Sequence, residues 1–239
     1  MDHRLNGPEE LIARLIEAAK EGNAETAVSL ISEGADVNAG GSGGWPALTH
    51  AVCNNRLEMV KLLLKAGADP NTRISSWSVI KHATWKHFTK IVKTLIDSGT
   101  DINMSDMKGD TVLMDAAWNG YDDITQLLLE SGADPCSANR FGWTALHHAA
   151  WNGSMRSLLM LIRAGGDIYQ KSMAEDGERS AIMVLEERME NLRDIIPAPS
   201  PETGPEAWPE RLKLFQAEIR RLENEDSDIS RSTGFEFDI

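Results

Sequence analysis

Gly142-Trp143-Thr144-Ala145-Leu146-His147-His148-Ala149-Ala150-Trp151-Asn152-Gly153 decides how the rest of the chain is read. It opens and closes on glycine, offers a threonine suited to capping a helix, and runs into a small Ala-Ala pair. Residues 109–120 are a looser copy that keeps Gly109, Thr111, Leu113, Ala116, Ala117 and Gly120. Residues 44–55 are looser again, and residues 76–87 have lost both bracketing glycines. A second marker returns beside these copies: Gly34-Ala35-Asp36, Gly67-Ala68-Asp69, Gly99-Thr100-Asp101, Gly132-Ala133-Asp134 and Gly165-Gly166-Asp167. Its intervals are 33, 32, 33 and 33 residues. A fixed period of that size means stacked supersecondary units, none able to bury its apolar face alone.

Each marker follows an apolar run of helical period, such as Leu57 to Leu64, that ends at the glycine as a helix C-cap should. Ahead of each run lies a shorter helix, predicted over 47–54, 79–86, 112–119 and 145–152. One repeat is therefore two antiparallel helices and an extended turn. These residues resemble the ankyrin repeat. The 142–153 stretch looks like that family's Gly-x-Thr-Pro-Leu-His-x-Ala-Ala-x-x-Gly signature with one substitution. The resemblance covers roughly Pro8 to Leu192 and implies an all-α ankyrin solenoid. Its repeats fall at about 8–39, 40–72, 73–104, 105–138 and 139–171, with a degenerate cap at 172–194. Small residues such as Ala149-Ala150 let neighbouring helices approach, and the degenerate third repeat is expected to be the weakest interface of the array.

The chain of 239 residues is 41% apolar, enough to bury a core, and carries a formal net charge of −13. Like charge argues against a nucleic-acid backbone or an anionic membrane as main partner. Two cysteines, Cys53 and Cys136, provide no disulfide framework and no metal-ligand spacing. Met1 to Ala19 has neither a signal-peptide pattern nor a membrane-length apolar run. These features lead to an expectation of an intracellular protein, cytoplasmic or nuclear, without membrane insertion.

Six of the seven tryptophans recur in two slots. Trp45, Trp77 and Trp143 fill the slot after the first signature-glycine position (Ser76 in the third repeat), where the remaining repeat has Asp110. Trp85, Trp118 and Trp151 follow the small pair, where the remaining repeat has Cys53. Such a column is either the seam of a stacked core or a binding surface. The resemblance places both slots among the partner-facing ones, at the turn tips and on the concave side of the first helices. Isolated aromatics there need no explanation, whereas a contiguous exposed stripe exceeds the apolar patch a monomer ordinarily tolerates. Trp45, Trp77, Trp85, Asp110, Trp118, Trp143, Trp151 and Asn152 are thus the candidate partner-binding residues. With Asp106, Asp110 and Asp115 nearby, the expected partner is a basic, Arg- or Lys-bearing protein segment. Near-complete burial of both columns would indicate a structural spacer, and partial exposure of four or more a binder.

No catalytic, metal or cofactor site is expected. His50, His82 and His148 repeat one per unit, too far apart to share a zinc, and His147 fills the signature histidine slot, implied to bond between turns. Gly40 to Gly44 has no Lys-Ser/Thr after it and reads as a turn tip. Asn38, Asn71 and Asn103, each eight residues after a leucine, resemble the acceptors of asparaginyl hydroxylation in ankyrin repeats, and equally are ordinary turn asparagines.

Composition breaks at Ile195. A Pro-rich linker is expected at 195–207, an amphipathic helix at 208–224 on the Trp208, Leu212, Phe215, Ile219, Leu222 stripe, and an acidic disordered tail at 225–239. The helix could cap the array, dimerise an otherwise monomeric chain, or dock on another protein. The resulting expectation is a non-enzymatic adaptor, scaffold or inhibitor. The alternatives are a spacer without a groove partner and a recruiting subunit acting through the C-terminal helix.

Overall fold

The computed structural model describes residues 7–41, 43–74 and 76–172, and beyond them 179–181, 183–185 and 187. The expected linker, amphipathic helix and acidic tail lie outside the described residues. Helices come in pairs, as the period requires. The first pair is α1 (Pro8–Glu21) and α2 (Ala24–Ser32), and the second is α3 (Ala47–Cys53) and α4 (Leu57–Lys65). The third repeat begins with a short hairpin, β1 (Arg73–Ile74) and β2 (Trp77–Ser78), followed by α5 (Val79–Trp85) and α6 (Thr89–Asp97). Then come α7 (Val112–Asn119) with α8 (Asp122–Glu130), and α9 (Ala145–Asn152) with α10 (Met155–Arg163).

The pairs stack into two layers. Helices α1, α3, α5, α7 and α9 pack consecutively on the inner side, and α2, α4, α6, α8 and α10 on the outer side. The sequence dictates both contacts. Ala116, Ala117, Ala149 and Ala150 are wholly buried and too small to hold the inner helices apart. The outer helices send large apolar residues between the layers: Met59, Val60 and Leu63 from α4, Ile91, Val92 and Leu95 from α6, Ile124 and Leu128 from α8. Their charged residues stay outside, as in the exposed Lys61–Glu58 pair. Burial of one such Leu or Ile contributes roughly 1.5–3 kcal/mol, so the seams between repeats dominate stability. Ala181, Val184 and Leu185 are also buried on this core, after an isolated bridge between Lys171 and Ser180.

Turn chemistry fixes the register. β1 and β2 pair antiparallel, with Arg73 opposite Ser78 and Ile74 opposite Trp77. Thr111 caps α7 by accepting from the Met114 N–H at 3.3 Å. Asn38 Oδ1 accepts from the Asp69 N–H, Asn71 Oδ1 from the Asp101 N–H and Asn103 Oδ1 from the Asp134 N–H, each within 2.9 Å. These asparagines tie each marker turn to the next, a structural use that accounts for their recurrence.

Inner helices α7 and α9 end on Gly120 and Gly153 in the left-handed region. The equivalent positions after α3 and α5 hold Asn55 and His87, at φ 54° and 56°. His87 is costly there, and interactions with the next repeat offset the strain. Its ring stacks on Tyr121 with centroids 4.0 Å apart, and Nε2 lies 2.8 Å from Asp123 Oδ1.

Gly120→Ala is expected to destabilise the array by about 1–3 kcal/mol in urea unfolding, more than Gly153→Ala. Both carry positive φ, but a Cβ at Gly120 would sit 2.7 Å from Asn152 Nδ2, whereas nothing lies within 4 Å of one at Gly153. Equal losses for the two variants would show that the Asn152 contact contributes nothing.

Candidate protein-binding face

The inner helices and turns carry the tryptophans on one side of the stack. Trp85, Trp118 and Trp151, at the ends of α5, α7 and α9, are 47%, 45% and 40% exposed. Trp45, Trp77 and Trp143 are half-buried at the turns. The rings form two clusters. In the third repeat Trp77 meets Trp85 edge-on, centroids 6.0 Å apart, and Lys86 Nζ sits 4.6 Å above the Trp85 ring. In the fourth and fifth repeats Trp118 and Trp151 lie parallel at 6.3 Å, and Trp143 leans on Trp151 at 6.2 Å. Trp45 stands apart from both, tilted against His50 at 5.9 Å.

The second cluster is not a cage. A cation held between two indole faces at the Lys86–Trp85 distance would need about 9 Å between centroids, and Trp118 and Trp151 are too close. It is a packed ridge whose outer faces are wet. Asn152 joins the ridge from beneath: its amide donates to the Trp118 carbonyl at 2.9 Å, linking the ends of two tryptophan-bearing helices. Two further apolar side chains, Met107 and Phe141, stand on the neighbouring turn tips at 71% and 54% exposure.

The aspartates expected to face a partner are already engaged. Lys81, from α5, has a side chain only 4% exposed, and its Nζ lies 3.1 Å from Asp106 Oδ2 and 2.7 Å from Asp115 Oδ2. It also donates to the Asp110 carbonyl at 3.1 Å. Asp110 Oδ1 accepts from Asn139 Nδ2 at 2.6 Å and lies 3.9 Å from His148 Nε2. The expectation that Asp110 and its neighbours supply free carboxylates to a basic segment is therefore corrected. One buried lysine and an asparagine amide occupy them, and they bind the third repeat to the fourth and fifth.

Burial sets the ionisation of this network. Desolvation pushes Asp115 up to about 6 despite the Lys81 ammonium beside it, with Asp110 and Asp106 adding repulsion. Asp106 goes the other way. Burial raises it, but the N–H groups of Asp110 and Lys108 and the charge of Lys81 hold it below the usual range. Burial lowers His148 to about 4, Asp110 only partly countering. Neither ring nitrogen of His148 has a hydrogen-bond partner, and the ring lies against Trp118 and Trp143, at 5.5 and 5.2 Å. Burial likewise lowers His50 and His82, helped by Lys20 and Lys86 respectively.

Comparison with known proteins accords with this geometry. Residues 12–74 and 79–172 match the family described as Ankyrin repeats (3 copies). The chain belongs to the ankyrin-repeat family. Among curated proteins it is similar to a mitochondrial disaggregase from Homo sapiens, 51% identical over 59 residues, which is 25% of this chain and 8% of that protein. The Bos taurus mitochondrial disaggregase is also 51% identical over 59 residues, 9% of its length. The chain thus spans less than a tenth of the curated relatives it matches, and the likeness is confined to a short segment.

The ankyrin frame shows what Lys81 replaces. In the signature histidine slot the four repeats carry Thr49, Lys81, Met114 and His147. His147 accepts the Thr144 N–H on Nδ1 at 3.1 Å, so its Nε2–H donates to the Arg179 carbonyl, 3.0 Å away in the next turn. Lys81 reaches in the same direction, with a longer arm and a charge, to the turn around Asp106 and Asp110. Ankyrin arrays are protein-interaction modules, and among the described residues no helix is long and apolar enough to cross a membrane.

Proposed function

We propose that this ankyrin array is a non-catalytic interaction module that holds a partner protein on the tryptophan ridge of its third to fifth repeats. The observation that carries the reading is the partial exposure of the tryptophans of these repeats: Trp85, Trp118 and Trp151 at 40–47%, with Trp77 and Trp143 half-buried beside them. A spacer would gain nothing from keeping so many large rings wet. Trp is also the residue most enriched among interface hot spots, each worth about 2 kcal/mol or more. Met107 and Phe141 extend the apolar surface onto the turn tips.

With the three aspartates engaged by Lys81 and Asn139, the exposed charges in the turns and inner-helix ends that carry these indoles include Arg73, Lys86, Lys108 and Arg140, with Lys86 over the Trp85 ring. That chemistry fits a partner with apolar or aromatic anchors and acidic flanks, not a basic one.

The Trp118→Ala/Trp151→Ala variant is expected to weaken partner binding about 100-fold or more. A Val28→Ala control on the outer face, where Val28 is 55% exposed, should bind as the wild type does. Retention of the captured partner by the double variant, with its urea-unfolding midpoint close to that of the wild type, would defeat the reading.

A further inference from the structure

The net charge of −13 is not shared by the ridge. Between Arg73 and Ile96 the chain has no acidic residue and five basic ones: Arg73, Lys81, Lys86, Lys90 and Lys93. In the next two repeats Asp106, Asp110 and Asp115 are held inward by Lys81 and Asn139. The other acids there, Asp122, Asp123, Glu130, Asp134 and Asp167, belong to the outer helices or the marker turns, as do Asp97 and Asp101 at the end of the third repeat. Arg73, Lys86, Lys108 and Arg140 are exposed, and none is in an ion pair among the described residues.

A segment of complementary chemistry lies in the chain itself. Residues 223–239 contain six acids and one arginine, with Ile229, Phe235, Phe237 and Ile239 among them. Phe235-Glu236-Phe237-Asp238-Ile239 alternates apolar and acidic side chains, a pattern suited to indole faces edged with Lys and Arg. The tether is long enough. Thirty-five residues separate Glu187 from Glu223, and at about 3.3 Å per extended residue or about 1.5 Å per helical one a chain of that length can reach about 30 Å or more, whether or not part of it is helical. Three repeats at the packing distance of helices cover about the same distance.

We infer that the segment 223–239 docks on the tryptophan ridge of its own chain and competes there with the external partner. This rests on the reading of the ridge as the binding face. Tethering places the segment at an effective concentration in the millimolar range, so a weak intrinsic affinity suffices to occupy the face. An external partner must then displace it. The array would be self-screened until a ligand with stronger anchors arrives.

The test uses the full chain, 15N-labelled, and follows its indole N–H resonances, assigned through single Trp→Phe variants. In the wild type the Trp118, Trp143 and Trp151 signals should differ from those of the Phe235→Ser/Phe237→Ser variant. Adding a synthetic peptide of residues 223–239 to that variant should restore the wild-type positions. The same peptide should bind the wild type at least ~10-fold more weakly, because the tethered copy competes, and about 0.5 M salt should release the tethered segment.

Identical ridge signals in wild type and Phe variant overturn the inference. So does peptide binding that survives Trp118→Ala/Trp151→Ala, or a wild-type signal that reverts on dilution, which would mean docking on a second copy. If these tests fail while partner capture still depends on Trp118 and Trp151, only the self-docking falls. If both fail, the ridge is not a binding face.

Discussion

Lys81→Met is expected to cost about 3–5 kcal/mol of stability at pH 7.5, a larger loss than truncating any exposed tryptophan. Methionine fills much of the same volume, so the loss is chiefly electrostatic. With the ammonium gone, Asp106 and Asp115 face each other's charge in a buried setting, and the Asp110 carbonyl loses its donor. The equivalent slot of the fourth repeat already carries Met114, so an apolar side chain there is compatible with the fold. Two further outcomes distinguish lost charge from lost packing. Lys81→Met/Asp115→Ala should recover a substantial part of the loss, because it removes a stranded carboxylate with the cation. Lowering the pH to 5 should also shrink the deficit of the single variant, since Asp115 is then protonated. Urea unfolding at the two pH values reads both. A deficit independent of pH and of the second substitution would mean that Lys81 acts through packing alone.

A second large effect is hidden in the wild type. His148 is held at about 4 against an ordinary 6.5, so its neutral form is favoured in the fold. Its contribution is fully present above pH 6.5 and is lost as pH falls through 4. Asp115 is held at about 6 against an ordinary 3.8. Its contribution is fully present below pH 3.8 and is lost as pH rises through 6. Each shift corresponds to on the order of 3 kcal/mol. Between pH 4 and 6.5 the folded state takes up a proton at Asp115 as the unfolded state takes up one at His148, so the two slopes nearly cancel. Removing one group exposes the other. Relative to wild type at each pH, Asp115→Asn should lose on the order of 3 kcal/mol between pH 7 and 4, and His148→Gln should gain a similar amount over the same range. Parallel pH profiles for all three proteins would refute this opposed pair.

The architecture was legible because it is written redundantly. Five glycine markers, four signature copies and the helix-period runs all point to the same unit. Helix α7 and helix α9 match their predicted spans, and α3 and α5 stop a residue short. The tryptophan slots were visible for the same reason, being repeated in register. The charge network was not, because it occurs once. A lysine at position 81 in a sequence looks like any solvated lysine, and Asp106, Asp110 and Asp115 look like surface carboxylates. Only the stacking of one turn against the next inner helix reveals that they neutralise one another. The available signal was positional: Lys81 occupies the slot where His147 makes its bond to the following turn. Met107 and Phe141 had a weaker signal, as lone apolar residues in otherwise polar turn tips.

The tilt of the indoles gives the chain an optical gauge of its own turns. Trp77 and Trp143 sit on turns, Trp85 and Trp151 on the inner helices behind them, at 67° and 55° between ring planes. Two chromophores that close and skewed share their excitations, and the mixing produces a paired positive and negative circular-dichroism band distinct from that of helix. The band exists only while a turn is folded down on its helix. Lifting a turn would erase one couplet while leaving helical content intact, so turn motion and unfolding can be told apart without attaching a label.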